Sequence, residues 1–184
     1  MRFVLEKSED RKLYLVLSPA TAMKQTNLGI VREITEQGAT AVIITTNQPY
    51  PVLRKLYVQE GIDLARVRVV DAITKYAVGK APEDVENAVF VNSPEDLTDM
   101  GIAVTQTLKA VDGKEVFVLF DSVSTMLIYL SSANISRFIH FVTSRLKISG
   151  IAGVFLAVEK GLDPLLLSRL TTFVDEVVDM EEEG

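Results

Sequence analysis

Lys24 is the residue whose setting most invites chemistry. It closes the segment "SPATAMK", between an apolar stretch "LYLVLS" and a helical pattern "NLGIVREITEQG". A strand, a loop, a lysine and a helix in that order form the layout of a phosphate-binding loop. The pattern G-x-x-x-x-G-K-[ST] uses its glycines so that successive backbone N–H groups can turn onto the phosphates. With Lys24 in the lysine position, Ser18 and Met23 stand at the two glycine positions and Gln25 at the hydroxyl position, with Thr26 one place late. Pro19, inside the loop, has no N–H to donate. Gln25 offers a magnesium ion only a weak amide oxygen. The plainer reading is a strand-to-helix connection with Lys24 solvated.

A second candidate is Asp121, which ends the apolar run "KEVFVLFDS". That placement suits the magnesium-associated aspartate of nucleotide hydrolases. It equally suits a cap for the following segment "SVSTMLIYL". Asp71, Asp121 and Glu159 all fall at the ends of apolar runs, and together they could hold a divalent ion. Nothing in their spacing requires it, and helix caps and solvated carboxylates account for them more simply. No catalytic residue and no metal ligand is assigned on these grounds. The chain has one histidine, His140 in "RFIHFV", and no cysteine. Disulfides, thiolate sites and histidine-cluster metal sites are therefore excluded.

Positioning these residues falls to apolar, β-rich runs that alternate with helical patterns along the whole chain. Strands are expected over residues 12–18, 40–46, "ARVRVVDA", "NAVFVNS", 114–122, 151–159 and "TFVDEVVDM". Helices are expected over "NLGIVREITEQG", from Pro49 to Gly61, over "SPEDLTDMGIAVTQTLKAV" with Ser93 as N-cap, over 135–148, and over "DPLLLSRL". Such alternation predicts a three-layer αβα sandwich with a mainly parallel central sheet. Ligands of open parallel sheets bind at the carboxyl ends of the strands. That edge collects the loop after Leu17, the segment after Thr46, Asp71, Asp121 and Glu159. "GKAPEDVEN" reads as a loop and the residues from about 180 to 184 as an acidic tail.

At 184 residues the chain fits one domain, read here as residues 1–184. Its net charge of −6 argues against a nucleic-acid binder that works by broad phosphate neutralisation. "MRFVLEKSED" lacks the apolar core of a signal peptide, and the longest apolar run, "VFVLFDSVSTMLIYL", is too short and too polar for a membrane span. A cytoplasmic protein without nucleic-acid or membrane partners is expected.

In their order along the chain, these segments resemble the RecA superfamily, and within it the KaiC-like and RadA-related archaeal ATPases. "LYLVLSPATAMKQTN" takes the place of the Walker A strand and loop, and "VFVLFDSVSTMLIYL" looks like the Walker B strand with its D-S-x-S continuation. "SRFIHFVTSRLKISGIAGVFLAVE" is similar to the helix and strand that follow, and "LTTFVDEVVDM" to the closing strand. The segment "AVIITTNQPYPVLRKLYVQEGID" departs most tellingly. KaiC-like ATPases carry paired glutamates there, one of which polarises the attacking water, whereas this chain has Asn47 and Gln48. An amide can position a water but cannot take its proton.

The resemblance therefore implies a RecA-like, P-loop NTPase-type fold whose hydrolytic parts are degenerate. A binding or regulatory module with a protein partner is expected, with no cofactor and with self-association as a homodimer. The alternative is a nucleotide-binding ATPase with a divergent loop, using ATP and magnesium. Lys24 would then meet phosphate, Gln25 or Thr26 would approach magnesium, and Asp121 would hold its water shell.

Overall fold

The computed structural model describes Leu5 and residues 11–180. Apart from Met180, the expected acidic tail lies outside the described residues, as does most of the amino-terminal stretch. Seven strands form one sheet: β1 (Leu13–Ser18), β2 (Thr40–Thr45), β3 (Val67–Asp71), β4 (Ala88–Phe90), β5 (Val116–Asp121), β6 (Ala152–Val158) and β7 (Glu176–Asp179). Their spatial order is β4-β3-β2-β5-β6-β1-β7, and every pairing is parallel. The chain leaves β1 for β2, three places away, and returns later to fill the gap with β5 and β6.

The apolar runs explain who sits where. Every residue of β1 and β2 is buried, as parallel strands covered on both faces require. The edge strands β4 and β7 are short and partly exposed. Side chains alternate between the two faces of the sheet. Leu13, Leu15 and Leu17 pack on one side, against α4 (Leu97–Ala110), α6 (Ser132–Ser149) and α7 (Pro164–Phe173). Tyr14 and Val16 pack on the other, against α1 (Met23–Glu36) and α2 (Tyr50–Gln59). Two short helices, α3 (Thr74–Val78) and α5 (Val123–Met126), complete the set. The expected three-layer αβα sandwich is the one observed.

Three local expectations are corrected. The segment expected to run from strand to helix as a loop folds instead into a 3₁₀ turn over Ala20–Ala22, and α1 starts at Met23. α4 is capped by Asp96, whose carboxylate accepts from the Asp99 N–H at 2.9 Å, and not by Ser93. The Ser93 hydroxyl serves a tight turn, accepting from the Glu95 N–H. The cap of α5 is Ser122 and not Asp121, because the Asp121 carboxylate is turned away from the helix into the site.

Candidate functional site

Strand register brings the sequence candidates to one level. Thr45 of β2 lies beside Asp71 of β3 and Asp121 of β5, and Asp121 lies beside Leu156 of β6. Above this row opens a cavity of about 500 Å³. Lys24, Asn47, Gln48 and Asp121 all line it, so residues singled out from three separate segments meet in one place. Its other wall is apolar, built by Met23 and Leu28 of α1 and by Val52, Leu53 and Leu56 of α2.

Asp121 is the centre of the polar side. It is 2 % exposed, and each of its carboxylate oxygens accepts a side-chain amide. The Asn27 Nδ2 donates to Oδ2 at 2.7 Å and the Asn47 Nδ2 to Oδ1 at 3.2 Å. The Tyr57 hydroxyl donates to the Asn27 Oδ1 at 2.8 Å, which fixes the amide with its NH₂ toward the carboxylate. Burial pushes the Asp121 carboxyl above the usual carboxylate range, opposed by the two amide donors. Burial likewise raises the Tyr57 hydroxyl, with the neighbouring Asp121 adding to it. The Asp121–Ser122 peptide bond is cis.

The loop that brings Lys24 in has a right-handed course. Pro19 is extended, Ala22 and Met23 are right-handed, and the Ala22 N–H is donated back to the Pro19 carbonyl at 2.9 Å. Among the described residues, only five glycines have positive φ, and none of them lies in this loop. Anion-cradling nests need alternating right- and left-handed residues, which this backbone does not provide. Lys24 is exposed and makes no hydrogen bond or ion pair among the described residues.

The remaining candidates separate. Gln25 is exposed and does not line the cavity. Thr26 is buried, with its hydroxyl 3.0 Å from that of Ser18, so the two polar groups at the end of β1 satisfy each other. Asp71 is saturated. Its carboxylate accepts from the backbone N–H groups of Tyr50, Ile73 and Thr74 and from the Thr74 hydroxyl, holding the starts of α2 and α3. Among the described residues, no three His, Asp or Glu side chains come together as a metal site would need. His140 is exposed, its ring 4.8 Å from that of Phe173.

Sequence reasoning missed Asn27, Tyr57 and the hydroxyl cluster of Thr46, Ser122 and Thr125. The Thr46 hydroxyl donates to the Ser122 carbonyl and lies 3.0 Å from that of Thr125, tying β2 to the turn after β5. Asn27 left a signal, since it stands one turn before Ile30 and Val31 on the buried stripe of α1. Tyr57 left none, because the spacing of Tyr50, Leu53 and Tyr57 is what a core-facing helix stripe requires.

A parallel seven-stranded sheet with helices on both faces, and a site at the carboxyl ends of its strands, defines a RecA-like α/β domain. Two solved structures from Pyrococcus horikoshii share the architecture. One is an uncharacterised protein in complex with an unknown peptide, with a TM-score of 0.71 at 14% identity over 97% of this chain and 82% of that one. The other is a KaiC-like protein, with a TM-score of 0.67 at 14% identity over 95% of this chain and 75% of that one. The chain itself belongs to DUF7504, a family of unknown function whose model matches residues 15–180. No curated protein matches it in sequence.

Proposed function

We propose that this RecA/KaiC-like domain does not hydrolyse ATP and acts as a binding or regulatory module for another protein in the cytoplasm. The observation that carries the reading is the pair of amides on Asp121. A carboxylate that is to order the water shell of a magnesium ion must be ionised and open to the site. Here burial works against ionisation, and each oxygen already accepts one amide, from Asn27 and from Asn47. These residues do not fit a magnesium site. The right-handed loop and Pro19 argue the same way for phosphate, and Asn47 and Gln48 for activation of water. A fold neighbour crystallised with an unknown peptide is in keeping with a module of this shape engaging protein segments.

Titration calorimetry with ATP and magnesium, paired with a phosphate-release assay, tests the reading. Neither saturable heat nor phosphate release is expected. Micromolar binding together with measurable release would overturn it.

One observation favours a second reading, a nucleotide-binding domain with a divergent loop. Among the described residues Lys24 has no partner and no side chain caps the 14-residue helix at whose start it stands, on the cavity wall. Helix N-terminal N–H groups and a free ammonium together attract an anion even without glycine. On this reading Lys24→Ala abolishes nucleotide binding; unchanged binding in that variant removes it.

A further inference from the structure

A second concavity, sharing no lining residue with the first, lies between α4 and α6, with a volume of about 680 Å³. Its floor is apolar. Ile102 is 51 % exposed and Phe141 43 % exposed, and the Phe141 ring leans on Phe138, which continues through Phe120 into the core. The floor is therefore anchored by buried rings and already formed. A Cβ on Gly101 would meet the Phe141 ring at 3.5 Å, an ordinary van der Waals contact, so the floor lies directly against the α4 backbone.

The walls carry charge of one sign. Arg137 and Arg145 of α6 and Lys109 of α4 line the groove, and among the described residues no carboxylate does. None of the three cations has an ion-pair or hydrogen-bond partner among the described residues. Lys109 has a local use at the carboxyl end of α4, where a cation suits the helix dipole. Arg137 and Arg145 lie within α6 and have no such use. Leaving two arginines unpaired beside exposed apolar surface, in a chain of net charge −6, calls for a partner that brings the carboxylates.

We propose that the α4–α6 groove docks an acidic amphipathic helix of a partner protein. The lining residues of α6 recur from Asn134 to Arg145, a run of about 17 Å at helical rise, which accepts roughly three turns of a guest helix. Apolar guest residues spaced three and four apart would cover Ile102 and Phe141. Flanking Glu or Asp would meet the two guanidinium groups, whose planar forks suit carboxylates. Nucleic acid fits less well, because three cations neutralise too little phosphate and the floor is apolar. A second copy fits less well too. The exposed apolar helix faces of this chain sit beside cations: Val52 and Val58 beside Arg54 and Lys55, Leu165 near Arg169, and Tyr76 next to Lys75. Docking at the groove does not depend on whether the strand-edge cavity takes nucleotide, and Lys24→Ala, which alters that cavity and leaves the groove untouched, tells the two sites apart.

The test uses the whole chain, ¹⁵N-labelled, and two synthetic helical peptides that share one leucine stripe and carry either glutamates or lysines beside it. In salt of about 0.15 M the glutamate peptide should shift the amide signals of Gly101, Ile102 and Phe141. It should bind about tenfold more tightly than the lysine peptide, as two partly desolvated charge pairs imply. Arg137→Glu with Arg145→Glu should reverse that preference, and Ile102→Glu should remove binding of the glutamate peptide while leaving the arginines in place. Shifts elsewhere, equal affinity for the two peptides, or a preference unchanged by charge reversal would overturn the proposal. So would the same signals responding to a duplex oligonucleotide more strongly, or to protein concentration alone.

Discussion

The side-chain amide of Asn27, on α1, donates to the carboxylate of Asp121 at the end of β5 across 2.7 Å. With the Tyr57 hydroxyl behind it and Asn47 on the far side, the chain Tyr57–Asn27–Asp121–Asn47 links four segments, α2, α1, the end of β5 and the turn after β2, through three buried groups and the half-buried Asn47. Such a network stabilises only while all its members are satisfied.

Asn27→Leu removes one donor from Asp121 and the acceptor of the Tyr57 hydroxyl. Loss of both partners in a buried site should destabilise the fold by about 2–4 kcal/mol, whereas Tyr57→Phe, which strips only the outer hydroxyl, should cost about 1 kcal/mol. In the double variant the two costs should add to less than their sum, because the hydroxyl has lost its acceptor already. Urea unfolding of the four proteins measures the cycle; strict additivity would mean that the network is not coupled.

Gly153 tests the packing that holds the site in place. It lies in β6 between β1 and β5, and a Cβ there would meet the Leu146 Cδ1 at 3.0 Å and the Leu13 Cδ2 at 3.3 Å. Both side chains are fully buried, so making room means shifting them within the core. Gly153→Ala should therefore destabilise by about 1–3 kcal/mol through overpacking, read from the urea midpoint.

The layered sheet was legible in the chain because its signal is redundant. Runs such as "TAVIITT" and "VFVLFD" state burial on both faces, and β–α alternation leaves few topologies. The site was legible in outline, since strand ends are where such folds bind. Lys24, Asn47, Gln48 and Asp121 do converge. What was not legible is how polar groups pair across elements. Asp121 could cap a helix or face a ligand from sequence alone, and only the approach of α1 shows it held by Asn27. Ser93 and Asp96 both precede α4 at capping distance, and the turn over Pro94 decides between them. Local spacing fixes neither outcome.

The raised carboxyl of Asp121 has a consequence for pH. A group whose folded value exceeds its unfolded one favours the folded state in its protonated form. Its contribution is full below the ordinary carboxylate value of about 3.9 and is lost as pH rises through the folded value. Asp121→Asn cannot titrate, so the stability difference between wild type and variant should shift toward the variant as pH rises from about 4 to neutrality. Chemical denaturation at a series of pH values measures the difference. A shift in the opposite sense would place the folded value below the unfolded one.

Asn47 invites the reverse experiment, restoration of a glutamate where the resembled ATPases have one. The position is not free to accept it. Asn47 Nδ2 lies 3.2 Å from the Asp121 Oδ1, so Asn47→Glu replaces a donor with a second carboxylate facing the first. Two carboxylates at hydrogen-bond distance cannot both ionise without cost, and one must hold a proton between them. The variant should be less stable than wild type by about 1–3 kcal/mol at neutral pH, with the deficit shrinking as acid supplies that proton. Hydrolysis of ATP should stay at background in the same preparation, because the loop around Lys24 and the commitment of Asp121 to Asn27 are unchanged. Phosphate release that rises in Asn47→Glu would mean that the glutamate was the one missing part, and that the rest of the site is competent.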